Sequence, residues 1–323
     1  MNLFDLNSPP YSITAYLWDN RWIGPAEKVV RITKPGEGNM NVVLRVHTNE
    51  RTFILKQSRP FVQKYQDIQA PLERIAVEQL FYRNMQQGTT ARYFPTVLQY
   101  APEDYLIMLQ DLGDCEDMTA SYDQHNGDLQ LFRELARLLS KIHQTEVADD
   151  FPANTILREL NHQHIFVLPF LEENGFALDS VQPGLQLLSE PFKRDTELAK
   201  TIKEIGAKYL AKGTVLLHGD YYPGSWMRKG ERPYVIDPEF SFVGFPEFDV
   251  GVMVAHSILI FGKQALMELV LNEYAKQLDV ALVRRVAGIE IMRRIIGLAQ
   301  LPMKRTLTEK ERLLELAHKM ILQ

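Results

Sequence analysis

The chain contains a single cysteine, Cys115, among its 323 residues. No intrachain disulfide can form, and this cysteine usage is typical of a reducing compartment. No apolar run reaches the roughly 18 residues that a membrane-spanning helix needs. The first residues lack both the basic segment and the long apolar segment of a secretory signal. Together these features predict a cytoplasmic protein with no membrane partner.

Positive charge is also scarce. There are 36 Lys and Arg residues against 41 Asp and Glu, which gives a net charge of −5 at pH 7 and an isoelectric point near 6.0. Because nucleic-acid binding depends on clustered Lys and Arg, the sequence predicts no nucleic-acid partner. The length and the 46% hydrophobic content are sufficient for a large core and are typical of two domains.

The hydrophobic pattern changes character near residue 110. Before that point, five short strand patterns and one helical pattern, which begins at Pro71 and ends near Met85, indicate a mixed β domain. After Gly113, helical periods dominate, as in the apolar repeat over residues 128–144. The pattern therefore predicts an α+β protein with a small mixed β N-terminal domain over residues 1–110. A larger, mainly helical C-terminal domain would cover residues 111–323.

Three acidic residues follow two apolar strands predicted within residues 213–243. Asp220 follows the first strand, and Asp237 and Glu239 follow the second. A lone Asp after a strand is often only a turn residue. Phosphoryl transfer, however, needs one carboxylate to orient the attacking hydroxyl and hard oxygen ligands for Mg²⁺. Asp220 suits the first task. Asp237, Glu239 and the weaker ligand Ser225 suit the second, and alternation along a strand predicts that the first two address one metal.

A glycine-containing turn and a strand-ending lysine indicate where nucleotide phosphates would bind. The turn lies between two predicted strands, where backbone N–H groups can approach phosphates, although many such turns are plain hairpins. Its candidate binding residues are Gly36, Gly38, Asn39 and Asn41. Lys56 ends the next strand, at the position of the phosphate-binding lysine of kinases. Glu73 and Glu78 on the following helix are both candidates to pair with it, and Glu78 fits better.

Two longer motifs carry a family resemblance. Residues 218–225 read HGDYYPGS, and residues 236–244 read IDPEFSFVG. These segments resemble the catalytic and metal loops of the aminoglycoside phosphotransferase and choline kinase superfamily, and among its families they are most similar to the methylthioribose kinases. The resemblance implies a bilobal protein-kinase-like fold, with ATP and Mg²⁺ as cofactors and an alcohol group as acceptor. It also implies that Asp249 buttresses the catalytic loop and that His218 is structural.

The resemblance assigns further residues. It implies that Gln110, Asp111 and Leu112 form a hinge whose backbone meets the adenine ring. On the residues alone, Arg293 and Arg294, adjacent in an apolar helix, could simply pair with acidic groups of a neighbouring helix. The resemblance implies instead that this pair serves the acceptor sugar and the transferring phosphate.

The arginine pair also bears on the acceptor. Two guanidinium groups argue against a polycationic substrate. The resemblance implies a small sugar such as a methylthioribose-like pentose. Tyr221, Tyr222 and Gln300 depart from the methylthioribose kinase pattern, which leaves a related sugar kinase open. An aminoglycoside or choline/amino-alcohol kinase and a catalytically inactive nucleotide-binding homologue are the alternatives. A homodimer is compatible with this interpretation.

Overall fold

The computed structural model describes residues 2–36, 40–124, 127–148, 150–262 and 266–323. The chain forms two compact units. The first unit comprises Met1–Cys115 and Tyr234–Phe240, and the second comprises Glu116–Pro233 and Ser241–Gln323. The division of the chain at residue 110 stays a prediction. The short segment that carries Asp237 and Glu239 belongs to the first unit, although it follows more than a hundred residues of the second.

The strands of the first unit are β1 (Val29–Thr33), β2 (Val42–Thr48), β3 (Thr52–Gln57), β4 (Phe61–Val62), β5 (Tyr65–Gln69), β6 (Val97–Ala101) and β7 (Leu106–Gln110). Five of them form an antiparallel sheet with the order β1-β2-β3-β7-β6. Its helices are α1 (Pro10–Asp19) and α2 (Arg74–Met85). The hairpin of β4 and β5 and the helix α1 were not predicted from the sequence.

Strand alternation gives the two faces of this sheet different roles. Phe53 and Leu55 of β3 join a buried apolar cluster with Ile13 and Leu17 of α1. Because successive side chains of a strand point to opposite faces, Lys56 is directed away from that cluster. Lys56 pairs in register with residues 43 and 107 of the neighbouring strands. A central strand therefore fixes the backbone of this lysine on both sides.

The second unit is mainly helical. Its helices are α3 (Ser121–Gln124), α4 (Leu129–His143), α5 (Thr155–His162), α6 (Leu178–Val181), α7 (Leu185–Lys193), α8 (Thr196–Leu210), α9 (Glu247–Phe261), α10 (Leu266–Tyr274), α11 (Val280–Ile296) and α12 (Leu307–Leu322). Its short strands are β8 (Glu116–Asp117), β9 (Val215–Leu217), β10 (Trp226–Lys229) and β12 (Phe242–Gly244), while β11 (Arg232–Val235) begins in this unit and ends in the first. Strand β9 pairs antiparallel with β12 and leads directly to the loop that carries Asp220.

Helix α11 is held tightly between α9 and α12. A Cβ added at Gly251 of α9 would lie 2.6 Å from Cβ of Val286, and one at Gly288 would lie 2.7 Å from the carbonyl oxygen of Ala317. Glycine at these two positions therefore permits a close approach that larger residues would block. Over the described ranges, no helix is both long enough and apolar enough to traverse a lipid bilayer.

Candidate active site

Lys56 is the centre of a charged cluster in the first unit. Its Nζ lies 2.7 Å from Oε2 of Glu78, one of the two glutamates expected on the helix that is now α2. The same Nζ lies 2.6 Å from Oδ1 of Asp237. Lys56 and Glu78 are both buried. Of the two candidate partners proposed for this lysine, it is Glu78 that contacts it.

The burial of this cluster changes the protonation of its members. Burial by itself lowers the pKa of Lys56, but the carboxylates of Asp237, Glu78 and Glu239 raise it well above its usual value. The ammonium is therefore charged at any physiological pH. Burial raises the pKa of Glu78 above its usual value, and Lys56 opposes that shift. The cluster thus holds one fixed positive charge, the ammonium of Lys56, among three carboxylates.

Asp237 does not lie in a strand. Strand β11 ends at residue 235, Asp237 has a φ of 61° in the left-handed region, and residues 238–240 form a 3₁₀ turn. Strand alternation therefore does not apply to Asp237 and Glu239, and their shared metal stays a prediction. The left-handed backbone, which Asp tolerates better than most residues, is fixed by a hydrogen bond from the Asp237 N–H to the hydroxyl oxygen of Tyr82, 3.1 Å away. The Asp237 side chain is 45% exposed.

Glu239 lies in a different environment from Asp237. Its side chain is only 4% exposed, and its Oε2 lies 3.1 Å from Nε of Arg74. The amide of Asn41 donates to the same oxygen over 3.0 Å. Asn41, predicted to contact nucleotide, is itself buried. Glu239 and Asn41 are thus joined through a shared buried arginine, which the sequence interpretation missed.

Arg74 organises the base of the predicted glycine turn. Its guanidinium donates to the Asn41 side chain over 3.0 Å, to the Met40 carbonyl over 2.9 Å and to the Arg59 carbonyl over 2.9 Å. A fully buried guanidinium needs such acceptors, because its desolvation is otherwise uncompensated. A lone arginine at the start of a helix gave no sequence signal for this role.

The other predicted nucleotide residues are only partly described. Gly36 lies in open surroundings, and Gly38 and Asn39 lie outside the described residues. Gln110 ends β7, and its side chain accepts a hydrogen bond from the Thr96 hydroxyl.

Residues 111 and 112 follow β7 directly. The Asp111 carboxylate lies 3.1 Å from Nε of Arg45 and accepts from the Gly113 N–H, so this side chain is engaged within the first unit. The Leu112 carbonyl accepts a weak hydrogen bond from the Cys115 thiol. The adenine-binding role of residues 110–112 stays a prediction.

In the second unit, the loop that follows β9 is fixed by a buried carboxylate. Asp249 of α9 accepts hydrogen bonds from the backbone N–H groups of His218 and Gly219, at 2.7 Å and 3.0 Å. Its Oδ2 also lies 3.2 Å from Nε2 of His143. The His218 ring is buried and its Nδ1 accepts from the N–H of Asp220. These contacts agree with the predicted roles: Asp249 supports the loop, and His218 is a structural residue within it.

Asp220 lies beside the second arginine of the predicted pair. Its carboxylate is 25% exposed, and Oδ1 lies 3.6 Å from Nη2 of Arg294. The Arg294 guanidinium also stacks over the Tyr222 ring at 4.5 Å. Ser225, the predicted weak metal ligand, is 2% exposed. That burial does not favour a metal role for Ser225.

Both arginines pair with one glutamate of their own helix. The Glu290 carboxylate accepts from Nε of Arg294 over 2.8 Å and from Nη2 of Arg293 over 3.0 Å, with a further bond from Nε of Arg293. The sequence interpretation considered acidic partners only on neighbouring helices and missed Glu290. Its spacing, three and four residues before the arginines, was a visible signal. Burial opposes ionisation, but Arg293 and Arg294 hold the pKa of Glu290 well below its usual value.

No preformed cage for a metal is apparent in the part of the chain that is described: no three His, Cys, Asp or Glu side chains converge on one point. This is compatible with Mg²⁺, which is commonly held by one or two carboxylates together with substrate phosphates. Asp237, half-exposed beside Lys56, fits that use. Glu239 fits less readily because its Oε2 is already engaged by Arg74 and Asn41.

Comparison with known proteins adds to this geometry. The methylthioribose kinase of Exiguobacterium sibiricum is 27% identical over 257 residues, which cover 76% of this chain and 64% of that protein. The methylthioribose kinase of Pectobacterium atrosepticum is 26% identical over 258 residues, covering 73% of this chain and 62% of that protein. The chain thus spans less than two thirds of the length of these curated relatives.

The solved structures define the fold. Spectinomycin phosphotransferase, in complex with ADP and spectinomycin, matches with a TM-score of 0.56 at 12% identity, over 98% of this chain and 100% of that one. This likeness confirms the predicted α+β protein-kinase-like fold. The model of the phosphotransferase enzyme family matches residues 31–285, well over half of the sequence. The chain therefore belongs to the phosphotransferase enzyme family.

Proposed function

We propose that this chain transfers the γ-phosphate of ATP to an alcohol group of a small molecule. The observation that carries the proposal is the buried Lys56–Glu78 ion pair with the Asp237 carboxylate beside it. Kinases use a lysine held by a helical glutamate to contact the nucleotide phosphates, next to a carboxylate that holds the metal. Asp237 is half-exposed and has a strained left-handed backbone conformation, and such strain is often found at functional sites.

On the nucleotide side, Lys56 would contact the α- and β-phosphates. Asp237 would hold Mg²⁺. Glu239 would be the second carboxylate and would share its charge between the metal and Arg74. When bound, Mg²⁺ neutralises charge on the β- and γ-phosphates. The residues of the glycine turn would cover the phosphates, and the backbone of residues 110–112 would meet the base.

On the acceptor side, Asp220 would orient the hydroxyl and accept its proton. Its loop is fixed by Asp249 through two backbone hydrogen bonds, so the carboxylate has a defined position. Arg294, 3.6 Å from Asp220, would offset the negative charge on the transferring phosphoryl group. Arg293 would add to that positive potential.

We propose a sugar of the methylthioribose type as the acceptor. The relatives with the family resemblance are named methylthioribose kinases, and this chain has the arginine pair. The only acidic side chain on the same helix turn, Glu290, is buried and already accepts from both arginines. On this helix turn a cationic aminoglycoside or choline would therefore meet two guanidinium groups, which do not favour it. A cytoplasmic location and a homodimer remain predictions.

The proposal is tested by measuring ADP release from MgATP with methylthioribose, ribose, spectinomycin and choline as separate acceptors. Methylthioribose or ribose is expected to give the highest rate. Asp220→Asn removes the proton acceptor and should lower kcat by about 10²–10⁴-fold. Equal rates for the wild type and Asp220→Asn would overturn the mechanism, and a preference for choline or spectinomycin would overturn the acceptor class alone.

A further inference from the structure

A chain of buried hydrogen bonds runs behind Arg294 in the second unit. It starts at the hydroxyl of Tyr122 in α3, which lies 2.7 Å from Nδ1 of His256 in α9. Nε2 of His256 lies 3.0 Å from Oε1 of Glu290 in α11. Glu290 then accepts from both arginines. Tyr122, His256 and Glu290 are all almost completely buried.

The direction of each hydrogen bond is fixed by chemistry. Glu290 is ionised and can only accept, so Nε2 of His256 must carry the proton and donate. Burial lowers the pKa of His256 to about 4, so the ring is neutral at pH 7 and its Nδ1 can only accept. Burial raises the pKa of Tyr122 well above its usual value, so its hydroxyl keeps its proton and donates. One tautomer and one orientation satisfy the whole chain.

Both oxygens of Glu290 are engaged by buried donors. Oε1 accepts from Nε2 of His256, Nε of Arg294 and Nη2 of Arg293, and Oε2 accepts from Nε of Arg293. These bonds tie the carboxylate to His256 and to the two arginines, so we look for its role in the side chains that it holds.

Glu290 holds Arg294 by one edge only. Nε of Arg294 is bonded to Glu290, which turns Nη2 of the same planar guanidinium toward Asp220. The Tyr222 ring covers one face of the guanidinium. Because the five donors of an arginine form a rigid fork, fixing Nε also fixes the direction of the remaining donors.

We propose that Glu290 and His256 are positioning residues, which hold the Arg294 guanidinium in the orientation that directs it toward Asp220. Tyr122 fixes the orientation of the His256 ring. This inference rests on the proposed phosphoryl transfer, because it gives Arg294 its task there. Neither residue touches the reacting atoms; each acts through Arg294. The position of Arg294 beside Asp220 thus depends on the neutral His256, which is connected to Arg294 by two hydrogen bonds through Glu290.

The test compares two substitutions of one buried residue. In His256→Gln, the side-chain amide can still donate to Glu290 and accept from Tyr122. In His256→Leu, a side chain of similar bulk does neither. Tyr122→Phe, which deletes a single hydroxyl, serves as a milder variant if His256→Leu fails to fold. Each is measured for kcat and for the KM of ATP with the best acceptor of the panel above.

A second readout does not depend on activity. Hydrogen exchange of the Arg293 and Arg294 Nε–H protons is followed by NMR in each variant, because a bond to a buried carboxylate protects them. We expect His256→Leu to lower kcat at least tenfold with an unchanged KM for ATP and to expose these protons to exchange. His256→Gln should restore most of both properties, and Tyr122→Phe should lie between them.

The outcomes separate the two proposals. If the wild type phosphorylates none of the four acceptors, the result counts against the proposed function. The exchange measurement would still test whether His256 and Glu290 hold Arg294 in place. Unchanged exchange in His256→Leu, or in Tyr122→Phe where the former does not fold, would overturn the inference. So would a kcat that falls equally in His256→Gln and His256→Leu, or one that falls in neither.

Discussion

The guanidinium of Arg74 and the carboxylate of Glu239 form an ion pair of 3.1 Å between two buried side chains. The pair joins the first turn of α2 to the segment that follows β11. Removing one member of such a pair leaves an uncompensated charge, which is much more costly than removing both. This relationship gives the first prediction.

Arg74→Met is expected to lower the free energy of unfolding by about 3–5 kcal/mol. The reason is that Glu239 and the Met40 and Arg59 carbonyls lose their buried donor. Urea unfolding of the wild type and the variant measures the difference. The double variant Arg74→Met/Glu239→Gln is the control and should be less destabilised than Arg74→Met alone; an additive or larger loss would show that the pair does not couple.

Lys56→Met is expected to lower kcat/KM for ATP by about 10- to 100-fold, since a hydrogen bond to a charged group is worth about 1.5–3 kcal/mol. Glu78→Gln should give a smaller loss because it keeps the lysine charge but loosens its position. Steady-state kinetics at varied ATP measures both. A KM for ATP and a kcat that stay at the wild-type values in Lys56→Met would remove this lysine from the phosphate site.

Asp237→Asn should raise the Mg²⁺ concentration needed for half-maximal activity about tenfold or more, because a neutral amide is a weaker ligand for a hard cation. This variant loses the ion pair with Lys56, but asparagine still tolerates a positive φ. Asp237→Ala should lose the same Mg²⁺ affinity and also about 1 kcal/mol of stability from the left-handed backbone. Titration with Mg²⁺ and urea unfolding distinguish the two effects. Equal stability of the two variants would contradict the backbone argument.

The buried His256 predicts an acid-sensitive stability. Burial lowers its pKa from 6.5 to about 4 in the folded state. In the unfolded chain the ring takes up a proton as the pH falls below 6.5, while the folded protein stays neutral. The contribution of His256 to the free energy of unfolding is therefore fully present above pH 6.5. It is lost as the pH falls toward 4, and the loss is about 3 kcal/mol.

The measurement is the free energy of unfolding at several pH values between 7 and 4 for the wild type and His256→Gln. Glutamine does not titrate, so its curve should fall less steeply over this range. Parallel curves would mean that His256 does not stay neutral in the fold. The other titrating groups are common to both proteins and cancel in the comparison.

The sequence predicted features that depend on residues close together in the chain. It did not predict features that depend on contacts between distant segments. The motif around Asp220 was singled out by its spacing and by its family resemblance, and Lys56 by its place near the end of an apolar strand. The environment of Glu239 could not, because a buried partner such as Arg74 is recognised only once distant segments meet. The left-handed turn at Asp237 could not be predicted, because the sequence does not show where β11 stops. Glu290 could have been found, since its spacing to the arginines is helical.

The placement of Tyr234–Phe240 within the first unit has a practical consequence. A fragment ending at residue 115 would lack Asp237 and Glu239. Lys56 would then keep only Glu78 as a counter-ion, and Arg74 would lose its ion pair with Glu239. The first unit of this protein is therefore not a continuous stretch of chain. Anyone wishing to excise it for study would have to splice the later heptapeptide back in through an artificial linker.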